Sequence, residues 1–382
     1  MGKHKFDENE AFDLLRQTVK CRTVNPPGNE VVLARQLQSF LKENKIDAKV
    51  DEFAPGRANL VFRLKGETAS PALLLTGHLD TVPVGEMKWR HEPFACESEN
   101  GLVYGRGIAD MKSSVAAMLY ALILLRREGL TPEQDVVFLA TADEEVSRRG
   151  AAAFVKSGGM SDIGAVLVGE PSNSDILLAH KGAMWLKVTA RGKTAHGSMP
   201  HLGVNAVNGM AKFIHILNAQ SFACLPNPLL GSPTFSVNSI QGGVAVNVVP
   251  DSCVCTIDIR TIPGQTEKDI RDFVDAALAK AAAGDADFCA QYEFLTSALP
   301  VEGVKEHHIV QALEAAAGKT LIKRGVNYYT DASTLLDGKI LPLAIYGPGD
   351  DKQAHQPDEH IILEKYFTAI EVYKNFVSAF KI

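Results

Sequence analysis

Three apolar runs that each end in polar or acidic residues constrain the fold most strongly. They are ALLLTGHLD (72–80), VVFLATADEE (136–145) and AVLVGEPS (165–172), and segments with helical spacing separate them. Strands that are apolar throughout are typical of a parallel sheet covered by helices on both faces. In open sheets of this kind, ligands bind beyond the carboxyl ends of the strands. The sequence therefore predicts an α/β domain with a central, mostly parallel sheet and a polar site at one edge.

Helical spacing of apolar side chains predicts the flanking helices. The first eighty residues show two helical segments followed by three strand-like segments. Apolar residues three or four positions apart mark the second helix, the helix after the loop GRGIADMKSS, and the C-terminal helix (Leu33, Leu37, Phe40, Leu41; Val115, Met118, Leu119, Leu122, Leu125; Tyr366, Ile370, Tyr373, Val377). These helices can cover the predicted sheet.

The pattern changes between about residues 181 and 295. Here we predict a strand (MWLKVTARG), a helix, three paired strands (TFSVNSIQGG, AVNVVP and CVCTIDIR), a helix over 266–283 and a last strand. The segment LPLAIYGPG (341–349) then returns to the style of a buried strand. The sequence therefore predicts a discontinuous catalytic domain, residues 1–180 and 296–382, with an inserted α+β lobe, residues 181–295, built on an antiparallel sheet.

Composition excludes several classes of protein. The 382 residues exceed the ~100 to 200 of a typical domain, which favours two lobes. Hydrophobic residues make up 46% and charged residues 22%, as in soluble globular proteins. The net charge of −6 argues against nucleic acid as a partner, and no apolar run approaches the ~18 residues of a membrane span. Small molecules are the expected partners.

Cysteine usage and the N-terminal residues predict a cytoplasmic protein. The six cysteines are scattered and none forms a C-x-x-C pair, so we expect reduced thiols in the core (Cys21, Cys96, Cys224, Cys253, Cys255, Cys289). The first residues, MGKHKF, lack the apolar segment of a signal peptide.

Five residues near strand ends or Gly-rich turns are candidate metal ligands. They are two imidazoles and three carboxylates (His78, Asp110, Glu145, Glu170, His355). These residue types suit zinc and its neighbours. Five ligands exceed what one tetrahedral catalytic ion takes from protein, but they fit two ions if one carboxylate bridges both. Asp110, which follows two glycines, is the predicted bridge.

Each of these residues also has a purely structural interpretation. Asp110 alone would serve as a helix N-cap, and His355 alone would be a surface or hydrogen-bonded core histidine. His78 has Asp80 two positions later. In an extended strand these side chains point the same way, so the carboxylate of Asp80 could fix the tautomer of the imidazole.

The adjacent pair Glu144 and Glu145 indicates a division of labour. Together with Asp143, these carboxylates would repel one another unless cations lie nearby, although a solvated acidic turn is the alternative. We predict that Glu145 binds metal. Glu144 would take a proton from the attacking water and pass it to the leaving amine.

Six segments in this order resemble a known enzyme family. HLDTVP, GRGIADMKSSVAAML, ATADEE, GEPS, GKTAHGSMPHLGVNA and AHQPDE are similar to signatures of the zinc-dependent deacylases and metallopeptidases, which include acetylornithine deacetylase, succinyl-diaminopimelate desuccinylase, aminoacylase and glutamate carboxypeptidase. The resemblance implies two Zn²⁺ per subunit, with Co²⁺ or Mn²⁺ as substitutes. It places His78 and Glu170 on one ion, Glu145 and His355 on the other, and Asp110 between them.

The same resemblance implies roles for residues outside the metal ligands. The inserted lobe matches the family's lid, which usually also forms the homodimer interface. His196 resembles the histidine that stabilises the oxyanion in the partner subunit's site, and Asn247 and Arg260 resemble substrate-binding lid residues. A surface-loop histidine and an ion pair of Arg260 with Asp258 remain the alternatives.

A substrate-facing rim is expected close to the last metal ligand. Thr330, Asp331 and Ser333, together with Gly347 and Gly349, fall where relatives build this rim, although a plain turn would explain YGPGD nearly as well.

Three functions are compatible with the sequence. The favoured one is hydrolysis of the amide bond of a small N-acyl amino acid. A metallo-carboxypeptidase or dipeptidase would use the same chemistry on a peptide bond. A non-catalytic metal-binding protein would lack a ligand or the base, and none of these residues is missing.

Overall fold

The computed structural model describes residues 4–304 and 307–382, and the chain divides into two compact units. The first unit comprises Met1–Leu178, Glu302–Arg324 and Thr330–Ile382, and the second comprises Ala179–Val301 and Gly325–Tyr329. Met1–Lys3, where the prediction about a signal peptide begins, lie outside the described residues. Residues 179–180, 296–301 and the segment Gly325–Tyr329, which were predicted in the catalytic domain, belong to the second unit. In the last of these segments, the carbonyl of Val326 accepts a hydrogen bond from the amide of Lys181.

The helices follow the predicted spacing. Within the described residues they are α1 (Glu8–Lys20), α2 (Glu30–Glu43), α3 (Ser113–Glu128), α4 (Arg149–Lys156), α5 (Ala206–Asn218), α6 (Glu267–Ala282), α7 (His308–Ala317), α8 (Ala332–Leu336) and α9 (Leu363–Ala379). A single π-helical turn, Ile108–Lys112, precedes α3, and a short 3₁₀ turn covers Pro200–Leu202.

The strands form three sheets. In the described part of the chain they are β1 (Lys49–Ala54), β2 (Arg57–Leu64), β3 (Ala72–His78), β4 (Glu97–Glu99), β5 (Leu102–Tyr104), β6 (Val136–Thr141), β7 (Ile163–Val168), β8 (Ile176–His180), β9 (Gly182–Arg191), β10 (Thr234–Gly242), β11 (Ser252–Thr261), β12 (Cys289–Ala298), β13 (Val301–Glu302), β14 (Lys323–Val326), β15 (Leu343–Ile345) and β16 (His360–Ile362). The smallest sheet has the order β16-β5-β4.

The largest sheet has a parallel centre. Its order is β1-β2-β6-β3-β7-β15-β8-β13, with β14 also paired to β8. The pairs β3·β6, β3·β7 and β7·β15 are parallel, whereas β1·β2 and β2·β6 are antiparallel. Every residue of β3 and β6 is buried, as expected for strands covered on both faces. The predicted α/β class is therefore confirmed.

Helix α3 lies in the interior of the first unit. By length and composition alone, the stretch Ile108–Glu128 would be apolar enough to cross a membrane, but 94% of its most apolar window is buried inside the protein. All residues from Ser113 to Leu125 are buried, not only the predicted face. A helix that is apolar all round is typical of the core of a large domain.

The second unit contains a four-stranded antiparallel sheet of order β10-β11-β9-β12. Residues alternate between buried and partly exposed along β11, and the buried set packs with apolar residues of α5 and α6, such as Phe213 and Val274. The prediction of a strand over AVNVVP is wrong. This segment is a loop that follows Gly243, which has a φ of 84°, and its last residue, Pro250, has no amide hydrogen for a sheet.

The cysteines only partly match the prediction of core thiols. All six are free, and Cys21, Cys96, Cys253 and Cys255 are buried. Cys224 and Cys289 are exposed, because they lie in a loop and at the start of the edge strand β12.

Candidate metal centre

Three neighbouring parallel strands deliver polar side chains to the same edge of the sheet. His78 is the last residue of β3, and it pairs in register with Thr141, the last residue of β6. Glu144 and Glu145 follow β6 directly, and Glu170 follows β7. Because β3 lies between β6 and β7, the carboxyl ends of the three strands are adjacent.

The first group of side chains comprises His78, Asp110 and Glu170. The Nε2 atom of His78 lies 3.1 Å from Oδ1 of Asp110 and 4.0 Å from Oε1 of Glu170. All three side chains are largely buried, and each offers one ligand atom within 4.8 Å of the others. This spacing suits a shared cation.

The second group comprises Asp110, Glu145 and His355. The Nε2 atom of His355 lies 3.3 Å from Oδ2 of Asp110 and 3.2 Å from Oε2 of Glu145. Asp110 therefore directs one carboxylate oxygen to each imidazole. Asp110 is not a helix N-cap, because α3 begins at Ser113 with Lys112 as its N-cap residue.

The tautomer of His78 follows from its second nitrogen. Its Nδ1 atom lies 3.0 Å from the backbone carbonyl oxygen of Asp80, which can only accept a hydrogen bond. In the neutral ring Nδ1 therefore carries the proton, and Nε2 directs a lone pair towards Asp110 and Glu170. This is the form of histidine that binds a metal ion.

Burial and mutual repulsion shift the pKa values of the acidic groups. Burial, and then the charge of Glu170, raise the pKa of Glu144 well above its usual value. Burial, and then Asp110, likewise raise the pKa values of Glu145 and Glu170. For Asp110, burial acts in the same direction, but hydrogen bonds from His355 and His78 hold its pKa below the usual range.

The two imidazoles respond in the opposite sense. Hydrogen bonds to Asp110 and Glu145 raise the pKa of His355 to about 10. Burial alone would lower the pKa of His78, but Asp110 and Glu170 raise it well above its usual value. Together these shifts show that the acidic groups attract positive charge.

The residues present fit a pair of metal ions. Imidazole nitrogens and carboxylate oxygens are typical zinc ligands, and the two groups share Asp110 as a bridging carboxylate would require. In addition, Oε1 of Glu144 is buried and has no hydrogen-bond partner among the described residues. An unpartnered buried oxygen next to these groups is unusual unless a ligand completes the site.

The turn that carries Glu144 and Glu145 is buried, not solvated, and the carboxylate of Asp80 holds it in place. Oδ1 and Oδ2 of Asp80 accept the amide hydrogens of Glu144 and Glu145, each at 3.1 Å. The carboxylate lies 3.7 Å from Nδ1 of His78, farther than the carbonyl of the same residue. The prediction that the carboxylate fixes the imidazole therefore needs correction. The strand ends at His78, so strand alternation does not extend to Asp80.

The sequence pattern of peptidase family M20/M25/M40 matches residues 74–379. The chain belongs to this family. A relative from Edwardsiella ictaluri, named acetylornithine deacetylase, is 34% identical over 302 aligned positions, which cover 78% of this chain and 76% of that one. A relative from Staphylococcus epidermidis, named probable succinyl-diaminopimelate desuccinylase, is 28% identical over 407 aligned positions, which cover 98% of each chain.

Solved structures of the family share the fold. A metallo-carboxypeptidase from Sulfolobus solfataricus superimposes with a TM-score of 0.80 at 18% identity, covering 98% of this chain and 99% of that one. A dinuclear metal-binding peptidase from Bacillus subtilis gives a TM-score of 0.76 at 15% identity, covering 97% of each chain. The family resemblance predicted from the sequence is confirmed, and this member is a hydrolase of the metallopeptidase and amidohydrolase class.

A buried carboxylate that the sequence analysis missed supports the loop of Asp110. Glu359 accepts hydrogen bonds from the amides of Gly107, Ala109 and Asp110 at 2.8–3.1 Å, and from Nη1 of Arg106 at 2.6 Å. The acidic pair at the end of AHQPDE, four residues after His355, was the available signal. Glu359 thereby connects the two loops that carry these ligands.

The predicted rim residues of the first unit are packed in the interior. Thr330 is fully buried, and its hydroxyl accepts the amide hydrogen of Ala332. A Cβ atom on Gly347 would lie 2.5 Å from the carbonyl oxygen of Glu170, so only glycine allows this close approach. Burial raises the pKa of Asp331 to about 6, and its carboxylate accepts a hydrogen bond from Thr141.

The predicted lid residues belong to the second unit. His196 is exposed, and its Nδ1 accepts the amide hydrogen of Ser198, so in the neutral ring the proton is on Nε2. The carbonyl of Asn247 accepts the amide hydrogen of Gly197 at 2.8 Å. Arg260 contacts Asp258 through Nε at 2.9 Å and Nη2 at 3.0 Å, which is the ion pair named as its alternative.

Proposed function

We propose that this family member hydrolyses the amide bond of a small N-acyl amino acid with the help of two zinc ions. The observation that carries the proposal is the pair of candidate ligand groups that share Asp110. Beside them lies Oε1 of Glu144, which is buried and has no hydrogen-bond partner in the described part of the chain. His78 and Glu170 would hold one ion, Glu145 and His355 the other, and Asp110 both.

The ions and the protein supply different parts of the chemistry. When bound, zinc polarises the scissile carbonyl and lowers the pKa of a water molecule to ~7. Glu144 takes the proton from the attacking water as the carbon–oxygen bond forms. It then gives that proton to the amine nitrogen as the carbon–nitrogen bond breaks, which releases a carboxylic acid and an amine. The raised pKa of Glu144 suits a group that must both accept and donate.

We further propose that His196 from a second copy stabilises the oxyanion. Its Nε2–H group is the donor that such a role requires, because Nδ1 is occupied by Ser198. Substrate binding by Asn247 and Arg260 belongs to the same proposal, whereas Thr330 and Gly347 are buried and would shape the site without touching the substrate. Arg260 would have to share or release Asp258 to bind a substrate carboxylate.

A homodimer through the second unit completes this proposal. Strand β10 is an edge strand of the antiparallel sheet, and edge strands readily pair with another chain. Ile240, Val244 and Val246 at and beyond its end are exposed apolar side chains. Light scattering coupled to gel filtration should give twice the chain mass, and Ile240→Lys together with Val246→Lys should shift it to the monomer.

The substrate test is a panel of N-acetyl, N-succinyl and dipeptide substrates with the zinc-loaded protein. Names of relatives as a deacetylase and a desuccinylase support the N-acyl members. We expect turnover of an N-acyl amino acid that a chelator abolishes and added zinc, cobalt or manganese restores. Faster cleavage of dipeptides would favour the peptidase alternative. Absence of turnover across the panel with two bound ions would contradict the proposal.

A further inference from the structure

A buried chain of hydrogen bonds extends from Asp80 away from the metal ligands. Besides the amides of Glu144 and Glu145, the carboxylate of Asp80 accepts a hydrogen bond at 2.9 Å from Nδ2 of Asn25. Asn25 lies between α1 and α2 and is only 3% exposed. Its own amide donates to the carbonyl of Thr81, which fixes the backbone of this loop beside the end of β3.

The side-chain amide of Asn25 lies between two carboxylates and donates a hydrogen bond to each. Its Nδ2 donates to Oδ2 of Asp80 and to Oδ1 of Asp143, both at 2.9 Å. A side-chain amide nitrogen carries two hydrogens, so each carboxylate receives one. The two carboxylate oxygens share a single neutral donor group and would repel each other without it.

An ion pair forms the end of this chain of hydrogen bonds that is farthest from Asp80. Oδ1 of Asp143 also accepts a hydrogen bond from Nη2 of Arg57 at 2.8 Å. Arg57 in turn binds both carboxyl oxygens of Glu30 in α2, at 2.7 and 2.8 Å. The side chains of Arg57 and Glu30 are 9% and 0% exposed, so the ion pair is shielded from water. Helix α2 is thus linked to the turn after β6.

We propose that Asn25 is a positioning residue for the hydrolytic reaction, acting through Asp80 on the turn of Glu144 and Glu145. By holding Asp80 and Asp143 together, its amide keeps the acceptors of Asp80 aligned with the two successive amides of this turn. The turn carries both the proposed proton acceptor and a proposed ligand of the second ion. This inference rests on the proposed function, although its effect on metal binding can be measured without substrate.

The sharpest test is Asn25→Asp, which keeps the shape of the side chain. It replaces the donating Nδ2 group by an oxygen that can only accept and that faces the carboxylates of Asp80 and Asp143. We expect kcat to fall by ~10- to 100-fold, the range seen when groups that orient metal ligands are removed, while KM changes less. Zinc affinity in a competition with a chromophoric chelator should fall over the same range. The visible spectrum of the cobalt-loaded protein should change. Asn25→Ala should show the same effects more weakly, because it adds no acceptor.

Asn205→Asp is the matched control. The side-chain oxygen of Asn205 accepts the amide hydrogens of Val207 and Asn208 at the start of α5, and aspartate can do the same. This variant should keep wild-type kcat, zinc affinity and cobalt spectrum. A thermal unfolding curve for each variant shows whether it is folded at the temperature of the assays.

A double variant tests the route through Asp80. In an Asp80→Ala background, Asn25→Ala should add little further loss, because the acceptor through which it acts is gone. Additive losses, or a folded Asn25→Asp protein with kcat, zinc affinity and cobalt spectrum like the wild type, would overturn the inference. If the wild type cleaves no substrate of the panel, the proposed function fails, while zinc affinity and the cobalt spectrum still decide the positioning role. If Asn25→Asp does not fold, Asn25→Ala carries the same test.

Discussion

Replacement of Glu144 by glutamine separates the contribution of this side chain to catalysis from its effect on stability. Glutamine has nearly the same shape but cannot accept a proton from water at neutral pH. Glu144 is buried, and the charges of Glu170, Asp331 and Glu145 all raise its pKa. The substitution therefore removes one negative charge from a group of carboxylates that repel one another.

The two effects have opposite signs. General acid–base groups contribute ~10² to 10⁴-fold in rate, which corresponds to a transition state less stable by about 3 to 5 kcal/mol when the group is lost. Removal of this buried carboxylate, one oxygen of which has no partner among the described residues, should in contrast raise the free energy of unfolding of the metal-free protein by ~0.5 to 2 kcal/mol, as for other substitutions that relieve a strained active site. Metal content should not change, because Glu144 is not among the proposed ligands.

The assay is steady-state hydrolysis of the best substrate of the panel, with metal content from elemental analysis and thermal unfolding in chelator. Glu43→Gln, which removes an exposed carboxylate at the end of α2, serves as the control and should change none of these quantities. Retention of more than about a tenth of kcat would refute the assignment of the proton acceptor. Loss of zinc would show that Glu144 is a ligand instead.

Three further predictions concern metal and framework. The pKa values of the carboxyls of Glu144, Glu145 and Glu170 are raised, and the pKa of His355 is raised to about 10. The folded metal-free protein therefore binds protons more tightly than the unfolded chain. Its stability should therefore fall between about pH 4 and pH 10, and the Tm in chelator should drop more from pH 6 to pH 9 than the Tm with zinc. Glu359→Gln places a donor against the donors of the Asp110 loop, so urea unfolding should show a loss of ~1 to 3 kcal/mol and zinc competition a weaker affinity. Gly347→Ala should cost ~1 to 3 kcal/mol by overpacking against Glu170, and unchanged urea midpoints would contradict either estimate.

The sequence predicted the parts of the site that depend on strand order. Apolar runs marked β3, β6 and β7, and the residues after each run had to lie together once these strands were parallel and adjacent. The grouping of His78, Glu145 and Glu170 could be predicted in this way. Asp110 and His355 stand in loops, and only their residue types and the family resemblance connected them with the others.

The residues that support the site, Asn25 and Glu359, could not be predicted from the sequence. Asn25 and Glu359 stand in segments that look like solvent-exposed loops, and their burial depends on tertiary contacts with distant parts of the chain. The segment AVNVVP failed for the converse reason. Its valines have a high preference for strands, but within the described residues the segment forms only an isolated bridge between Val248 and His196, and Val246, like Val244 just before the segment, is exposed.

The charge of the site explains why its loops are bound so firmly to the framework. Three carboxyls with raised pKa values, Glu144, Glu145 and Glu170, lie in or beside the candidate ligand groups, and their repulsion would move the loops apart if nothing opposed it. Hydrogen bonds from backbone amides to the carboxylates of Asp80 and Glu359 oppose this movement in the metal-free protein. The cost of gathering these side chains is then met during folding, so that the proposed ions would bind to a preformed site. It follows that substitutions in the framework should weaken metal binding and stability together, whereas neutralising an acidic group should raise the stability of the metal-free protein. The opposite signs of these two responses distinguish a preformed site from one that the ions assemble.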